Sequence, residues 1–569
     1  MSEKQNSKKL QFNGFDGIDA RESNTGDKNI RDICNLRIQH DGSLKKRDGY
    51  VALCTASDDI RTIWSGSLNG TFCCFFLSLS SVYSLDIASK KTTLIGNIST
   101  TSGNAQFFFF RDALYLTDTS DIYRVSSEGV SSVTGYIPLY AKDWATTYAG
   151  EVNEPLNLFS PYARLTYKVP ESHTAILETG LPVTSIVSVY KNGELLEESA
   201  YIPDFRYGSV TVPGIKEGDC LQVNVMYERD EKTNDFLSCP YAAVFGGISN
   251  SRLFVWGNKN ESTIYTGAYV SNEGYEASKK VCPSCAPFYF PPDHSFVVGD
   301  GKYPVKALAR HYDRLLIFTE GDVWMATDAS RATDEFPVIT INSSAGCASI
   351  NGTVILGNDP ITVGRRNIFR WTSETDELNE CNAYDISGPI RQLLSDDFFG
   401  GAVVFLDVHK NEIWFHNPSV DDNAWIYNAS KGAWTRFSNV KANQFFDANG
   451  EVGFIYGRTV YAFDPEESYD HGVKRIVGSL KTGVLDFGSS SKKKLSACKI
   501  KADFNYGFIS ISTLSNYLEQ RKAQIYRGYG INYVKQRMHS KNFEYLSQLT
   551  IETDGSSKQS IYDVEVYAR

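Results

Sequence analysis

Residues Gly400 to Phe463 read GGAVVFLDVHKNEIWFHNPSVDDNAWIYNASKGAWTRFSNVKANQFFDANGEVGFIYGRTVYAF. Four short apolar runs, AVVFLD, EIWFH, NAWIYN and AWTRF, are separated by VHKN, NPSVDD and ASKG. Side chains alternate over a few residues and then meet Asn, Asp, Pro or Gly, which is the chemistry of strands joined by turns. The pattern predicts four antiparallel strands, closing on Trp434 after Gly432, with a second unit beginning at QFFDA, EVGFIY and TVYAF. Four strands per unit, repeated about an axis, is the layout of a β-propeller blade, and the aromatic residues would fill the wedges between blades. One meander of an ordinary β-sandwich produces the same local pattern.

Working outward, ISGPIRQLLSDDF (386–398) places Ile390, Leu393 and Leu394 at helical spacing, and a short helix is expected there. Downstream of Asp464-Pro465 the chain alternates in the strand manner to its end, which predicts a terminal β-sandwich. Upstream, residues 139–160 break the strand rhythm, and the stretch from about 158 to 230 reads as an inserted small β-sandwich with hairpin turns at Asn192-Gly193 and Pro213-Gly214. Eight short strands between Ile60 and Pro138 suggest two blades. The expected fold is all-β: a β-propeller with an inserted small β-sandwich and a C-terminal β-sandwich domain. Its parts are an N-terminal extended arm and hairpin (1–50), a first part of the propeller (51–150), the inserted sandwich (151–235), a second part of the propeller (236–470) and the terminal sandwich (471–569).

Composition agrees with strands. Among 569 residues there are 33 Tyr, 33 Phe and 8 Trp but only 4 Met, a bias toward the residues that fit pleated surfaces. The 67 acidic and 57 basic residues give a net charge of −10, which argues against a chain whose main task is gripping phosphates. Eleven cysteines, an odd number that includes the adjacent Cys73 and Cys74, do not form the even framework of a small secreted domain, so reduced thiols are expected. Neither a signal peptide nor an apolar run long enough to span a membrane is read in the sequence.

The opening stretch carries the most specific pattern. FNGFDGIDARESNTGDKNIRDICNLRIQHDGSLKKRDGYVAL combines N-G, I-D-x-R, N-L-R and D-G-S-L-x-x-R-x-G-Y, with Asp41-Gly42 as a hairpin signal. Carried by Asn13, Gly14, Ile18, Asp19, Arg21, Asn35, Leu36, Arg37, Asp41, Gly42, Leu44, Arg47, Gly49 and Tyr50, this pattern resembles the start of tail nozzle proteins (tail tubular protein B, or tail hub and stabilisation proteins) of short-tailed bacteriophages. Segments 305–327, 346–357, 367–371 and 481–488 are similar to the same family. What the resemblance implies is a virion structural protein made in the host cytoplasm, a hexameric ring forming the distal tube of a viral tail. Its partners would be further copies of itself, a tail adaptor protein and tail fibre or receptor-binding proteins. DNA would pass through the lumen without specific binding, and an acidic channel face would repel the phosphate backbone.

No catalytic, cofactor-binding or metal-binding residue is predicted. Cys282 and Cys285 have the spacing of half a zinc site and His294 is near in sequence, but no second close pair of ligands completes it, and two loop thiols are the reading. His311 and His409 sit singly at a strand edge or turn, where surface imidazoles are common. Asp58-Asp59, Asp396-Asp397 and Asp421-Asp422 read as solvated loop tips rather than glycosidase carboxylates, and Arg365-Arg366 as a solvated pair. The alternative function is a Kelch-like binding propeller for a glycan or protein partner, suggested by FGGISNSRLFVWG and FGGAVVFLDVHKNEIWF. Against it, Kelch repeats recur about every 50 residues and the double glycine does not. An enzyme acting on polysaccharide would require a carboxylate pair that the sequence does not nominate.

Overall fold

A computed structural model describes residues 8–21, 29–140, 154–169, 176–246, 252–258, 262–268, 288–327, 338–373, 382–488, 492–515, 519–526, 529–538, 547–555 and 558–568. Strands dominate, and one α-helix, Glu231–Leu237, occurs among the described residues. The chain divides into two compact units, Met1–Leu94 with Glu320–Val323 and Ile341–Arg569, and Ile95–Thr319 with Trp324–Thr340. The fold is all-β, a β-propeller with an inserted small β-sandwich and a terminal β-sandwich.

The stretch that opened the sequence analysis forms a blade-type antiparallel sheet of Val403–Asp407, Glu412–His416, Ala424–Asn428 and Ala433–Phe437 in simple sequential order. Its turns use left-handed residues, with Asn411 at φ 52° and Gly432 at φ 64°. Most residues of the strands are buried, all five in Glu412–His416, because both faces are covered. Trp414, Ile426 and Phe437 enter one apolar cluster, while their neighbours Ile413, Phe415, Tyr427 and Trp434 enter another. Ring contacts knit each side, with Trp414 to Phe437 at 5.3 Å and Phe415 to Trp434 at 5.3 Å between centroids. Five separate sheets of four sequence-consecutive strands also occur among the described residues.

The sheet of Gln444–Asp447, Val452–Tyr456 and Thr459–Asp464 takes its fourth strand from the far end of the chain. Gly49–Thr55 pairs antiparallel with Thr459–Asp464, so the segment at which the propeller was expected to start is the strand that completes this late blade. Likewise, the terminal sandwich is not built from residues after 470 alone. Lys8–Asn13 pairs with Ser560–Ala568, Leu44–Lys46 pairs with the same strand, and Ile30–Cys34 pairs with Ser479–Leu485. A single parallel bridge from Cys34 to Arg436 joins the opening blade to that sheet.

Within the second unit, the insert has two sheets. Tyr162–Lys168, Cys220–Tyr227, Val183–Lys191 and Glu194–Leu195 form one, and Ile176–Glu178, Ser209–Thr211 and Ile202–Asp204 form the other. Leu165, Tyr167, Val189, Val210, Val223 and Val225 are among the residues that fill its own core. The Asn192-Gly193 turn has φ values of 53° and 87°, as a two-residue hairpin requires. Pro213-Gly214, read from sequence as a hairpin turn, instead carries the chain from one sheet to the other, because the following Ile215 is drawn into the core.

Two further readings are corrected, and one helix lies where the sequence marked none. Residues 386–398 form two short 3₁₀ turns, Arg391–Leu393 and Asp396–Phe398, with Leu394 and Ser395 extended between them. Pro389 lacks an amide hydrogen, and only Ile390 and Leu394 of the apolar triplet are buried, so the helical spacing has no face to serve. The hairpin at Asp41-Gly42 spans five residues, since Gln39 donates to Ser43 O and Gly42 donates back to Gln39 O. The paired positions next to it are Ile38 and Leu44. Lastly, Glu231–Leu237 is a helix capped by Asp230, whose carboxylate accepts from Thr233 N at 2.8 Å.

Candidate functional site

Asn35, Arg47, Gly49 and Tyr50 of the opening motif lie at or beside one buried ionic node in the first unit. Asn35 lies between the strands Ile30–Cys34 and Leu36–Ile38 at φ 55°, a conformation Asn tolerates better than most residues. Its side-chain oxygen accepts from Ser438 N and from Arg47 Nε, both at 2.9 Å. Its nitrogen donates to Ser438 Oγ at 2.9 Å and Val477 O at 3.0 Å.

Arg47 is the centre. Nη1 donates to Asp470 Oδ1 at 2.7 Å and Asp48 O at 2.9 Å; Nη2 donates to Asp470 Oδ2 at 2.6 Å and Ser438 O at 2.8 Å. With Nε on Asn35, all five N–H groups of the guanidinium are used. The side chains of Arg47 and Asp470 are 0% and 1% exposed. The guanidinium also lies over the rings of Phe437 and Phe463, 5.7 and 5.8 Å from their centroids. A buried pair so fully bonded need not add net stability over an apolar substitute, but losing one partner strands a charge.

Glycine and tyrosine positions in the same motif serve the same node. A Cβ on Gly49 would lie 2.0 Å from Tyr469 O, so only glycine fits against that backbone. Tyr50 Oη donates to Asn439 O at 2.8 Å. Gly17, at φ 94°, sits where a Cβ would meet Trp434 N at 2.7 Å, and Ile18 N donates to Trp434 O. A second forked pair, Arg436 to Asp32 with both N–O distances 2.7 Å, secures the parallel bridge beside Cys34. Asp19 holds Arg21 through two hydrogen bonds at the exposed edge of the arm.

Beside the node a cleft of roughly 610 Å³ opens, lined by Arg37 and Lys45 of the hairpin and by Lys410, Glu412, Lys431 and Glu451 of the blade turns, among others. Most of its charges answer one another. Arg37 Nε is 3.4 Å from Glu412 Oε1, and Lys410 pairs with Glu451. Burial pushes the Glu412 carboxyl up, with Arg37 opposing. Lys46, 1% exposed, has an ammonium without a hydrogen-bond partner, and burial pushes it down to about 8 against the pull of Asp554. The Ser430 hydroxyl in the lining accepts from Asn411 Nδ2 at 2.7 Å.

The residues singled out from sequence do not gather. Cys282 and Cys285 lie outside the described residues. His294 is buried, and its backbone N donates to Pro291 O. His311 is buried, whereas His409 is half-exposed with Nε2 3.4 Å from Asp447 Oδ2. Asp421 accepts two hydrogen bonds from Asn423, Asp396 pairs with Arg391 at 2.7 Å, and Ser57 donates to Asp58. Arg365, with its side chain 52% exposed, pairs with Glu320 at 3.1 Å on the solvated surface. Among the described residues no three His, Cys, Asp or Glu side chains are grouped to hold a metal ion. The ionic node itself was missed by sequence reasoning: Arg47 was visible in the motif, but Asp470 lies 423 residues away.

No family model and no curated protein matches the chain. Solved structures offer low-scoring likenesses. PorZ, a surface component of the type-IX secretion system of Porphyromonas gingivalis, is 10% identical with a TM-score of 0.35, over 79% of this chain and 44% of that one, so this chain spans less than half of PorZ. The AfRom2 CNH domain is 7% identical with a TM-score of 0.34, over 73% of this chain and 99% of that one. An exo-beta-1,3-galactanase from Phanerochaete chrysosporium is 9% identical with a TM-score of 0.18, over 81% and 95%. Scores this low transfer no function.

Proposed function

We propose that this protein is a structural component of a bacteriophage tail, one wall segment of a ring of six copies that forms the distal tube or nozzle through which DNA is ejected. The observation that carries the reading is the opening motif. Its resemblance is to tail nozzle proteins, and its Asn35, Arg47, Gly49 and Tyr50 are spent on fastening the first strands to a late blade and to the terminal sandwich. A part that must hold its shape while a polymer slides past is served by such fastening, because a closed, cross-paired β fold has few free edges to slip.

The mechanism is passive. Copies related by a rotation present unlike faces to each other and close into a ring, which leaves a passage on the axis. A net charge of −10 favours a channel that repels phosphates, so DNA moves without sticking. In this reading the side chains make and break no bonds, and the ring joins a tail adaptor on one side and fibres or receptor-binding proteins on the other.

Native mass spectrometry of the purified full-length chain tests the reading. Assembly at six times 63.5 kDa is expected, alone or on mixing with the adaptor. A chain that remains a single copy in both cases overturns it.

A further inference from the structure

One face of the terminal sandwich carries an arrangement that the wall role does not use. The strands Lys8–Asn13, Ser560–Ala568, Leu495–Asp503 and Ile531–Arg537 lie side by side, and their alternate residues face away from the core. Register sets Lys499 beside Lys535 and Glu565, and Lys501 beside Tyr533 and Asp563. The ammonium groups of Lys499 and Lys501 lie 5.1 and 5.3 Å from the centre of the Tyr533 ring, and that of Lys535 lies 4.7 Å from the Tyr567 ring.

The carboxylates of this face are already engaged. Glu565 receives Lys9 at 2.8 Å, Tyr567 Oη and, at 3.4 Å, Lys499; Asp563 receives Gln11 at 2.9 Å. Among the described residues no ion pair holds Lys501, Lys535 or Arg537, and this row of positive charge belongs to a chain of net charge −10.

At the end of the row stand two exposed rings. Tyr506 is 67% exposed and Tyr529 72%, with centroids 5.6 Å apart. Tyr506 has φ 61° and follows Asn505 at φ 41°. In a turn with two left-handed residues the second place suits glycine, and a bulky side chain there carries a backbone cost. Burial does not offset that cost, since the ring touches mainly another exposed ring.

We propose that this face binds an anionic polysaccharide. Carboxylate or phosphate groups of the polymer meet Lys501, Lys535 and Arg537, and the C–H face of one sugar ring lies on the Tyr506–Tyr529 pair. Single-stranded nucleic acid fits less well. It binds through a succession of open aromatic platforms, whereas Tyr533, though 61% exposed, and Tyr567 have lysine ammonium groups over their rings.

The test is a titration of the full-length chain with fluorescently labelled polygalacturonate, uncharged dextran and an oligo-dT strand. Polygalacturonate binds and weakens with added salt, dextran does not bind, and oligo-dT binds more weakly. Lys501→Glu combined with Lys535→Glu lowers affinity about tenfold or more. Tyr506→Gly raises the melting temperature by relieving the turn while weakening binding, a split that a merely structural tyrosine would not give. No polygalacturonate binding, tighter oligo-dT binding, or affinity unchanged in either variant overturns the proposal. Binding by a chain that never assembles would keep this inference and sink the ring.

Discussion

The inserted sandwich and the terminal sandwich are both two-sheet β packages, yet one is made of neighbours in sequence and the other of opposite chain ends. The insert begins and ends at one point, where Tyr227 N donates to Pro161 O at 3.0 Å, and its buried core residues run from Ala163 to Tyr227, with Tyr140 and Leu156 packed against them from outside. The terminal sandwich draws strands from the first 46 residues, and the Arg47–Asp470 node beside them bridges 423 positions. Closing so long a loop costs only slowly more entropy as length grows, so the arrangement is affordable thermodynamically, but it makes the unit depend on both termini. The insert is built from one continuous segment; the terminal sandwich is not.

The largest effect expected from this contrast follows removal of residues 1–34. Two core strands and the seat of Asn35 disappear, and the first unit should lose its cooperative melt in calorimetry. A chain that still melts as before would show the arm to be an accessory.

Next comes Asp470→Ala, which strands a fully buried guanidinium and should destabilise the first unit by about 3–5 kcal/mol in denaturant titration. Replacing Arg47 and Asp470 together by apolar residues should recover much of that loss, since the charge is then gone. If the single change is as mild as a surface substitution, the node is not the fastener.

Lys46 gives a smaller effect with a defined sign. Its folded pKa of about 8 lies below the unfolded value of 10.5, so the unfolded state holds more protons between these values and stability rises with pH there. Below pH 8 the buried charge costs up to about 3 kcal/mol. Lys46→Met should therefore be the more stable protein at pH 7, and its advantage should shrink as pH climbs from 8 to 10.5. Parallel stability curves for the two proteins would rule out a buried, charged Lys46.

The smallest effect is predicted for excision of residues 162–226 with a short glycine link between Pro161 and Tyr227. The remaining chain should melt within a few degrees of the parent, because the joined ends already lie within one hydrogen bond. Insoluble product would show the insert to be integral.

What the sequence made legible follows the same division. Strands 403–437 and the Asn192-Gly193 turn were readable because alternation and left-handed turn residues act within a few positions. The strand Gly49–Thr55 was placed at the start of a new blade, since nothing local distinguishes a strand that pairs with its neighbour from one that pairs with Thr459–Asp464. Residues 386–398 misled because helical spacing is informative only when a helix face is buried, and Leu393 is exposed. The ionic node was half visible, since Arg47, Gly49 and Asn35 form a local pattern while Asp470 and Ser438 carry no signal of their own. The exposed Tyr506 could have been suspected only from Asn-Tyr standing where a hairpin would favour Asn-Gly.

Negative-stain electron microscopy of the assembled full-length protein tests the central claim most directly. Class averages with six-fold rings around an open centre are predicted. Solitary globules at the concentrations where the adaptor is bound would contradict the account.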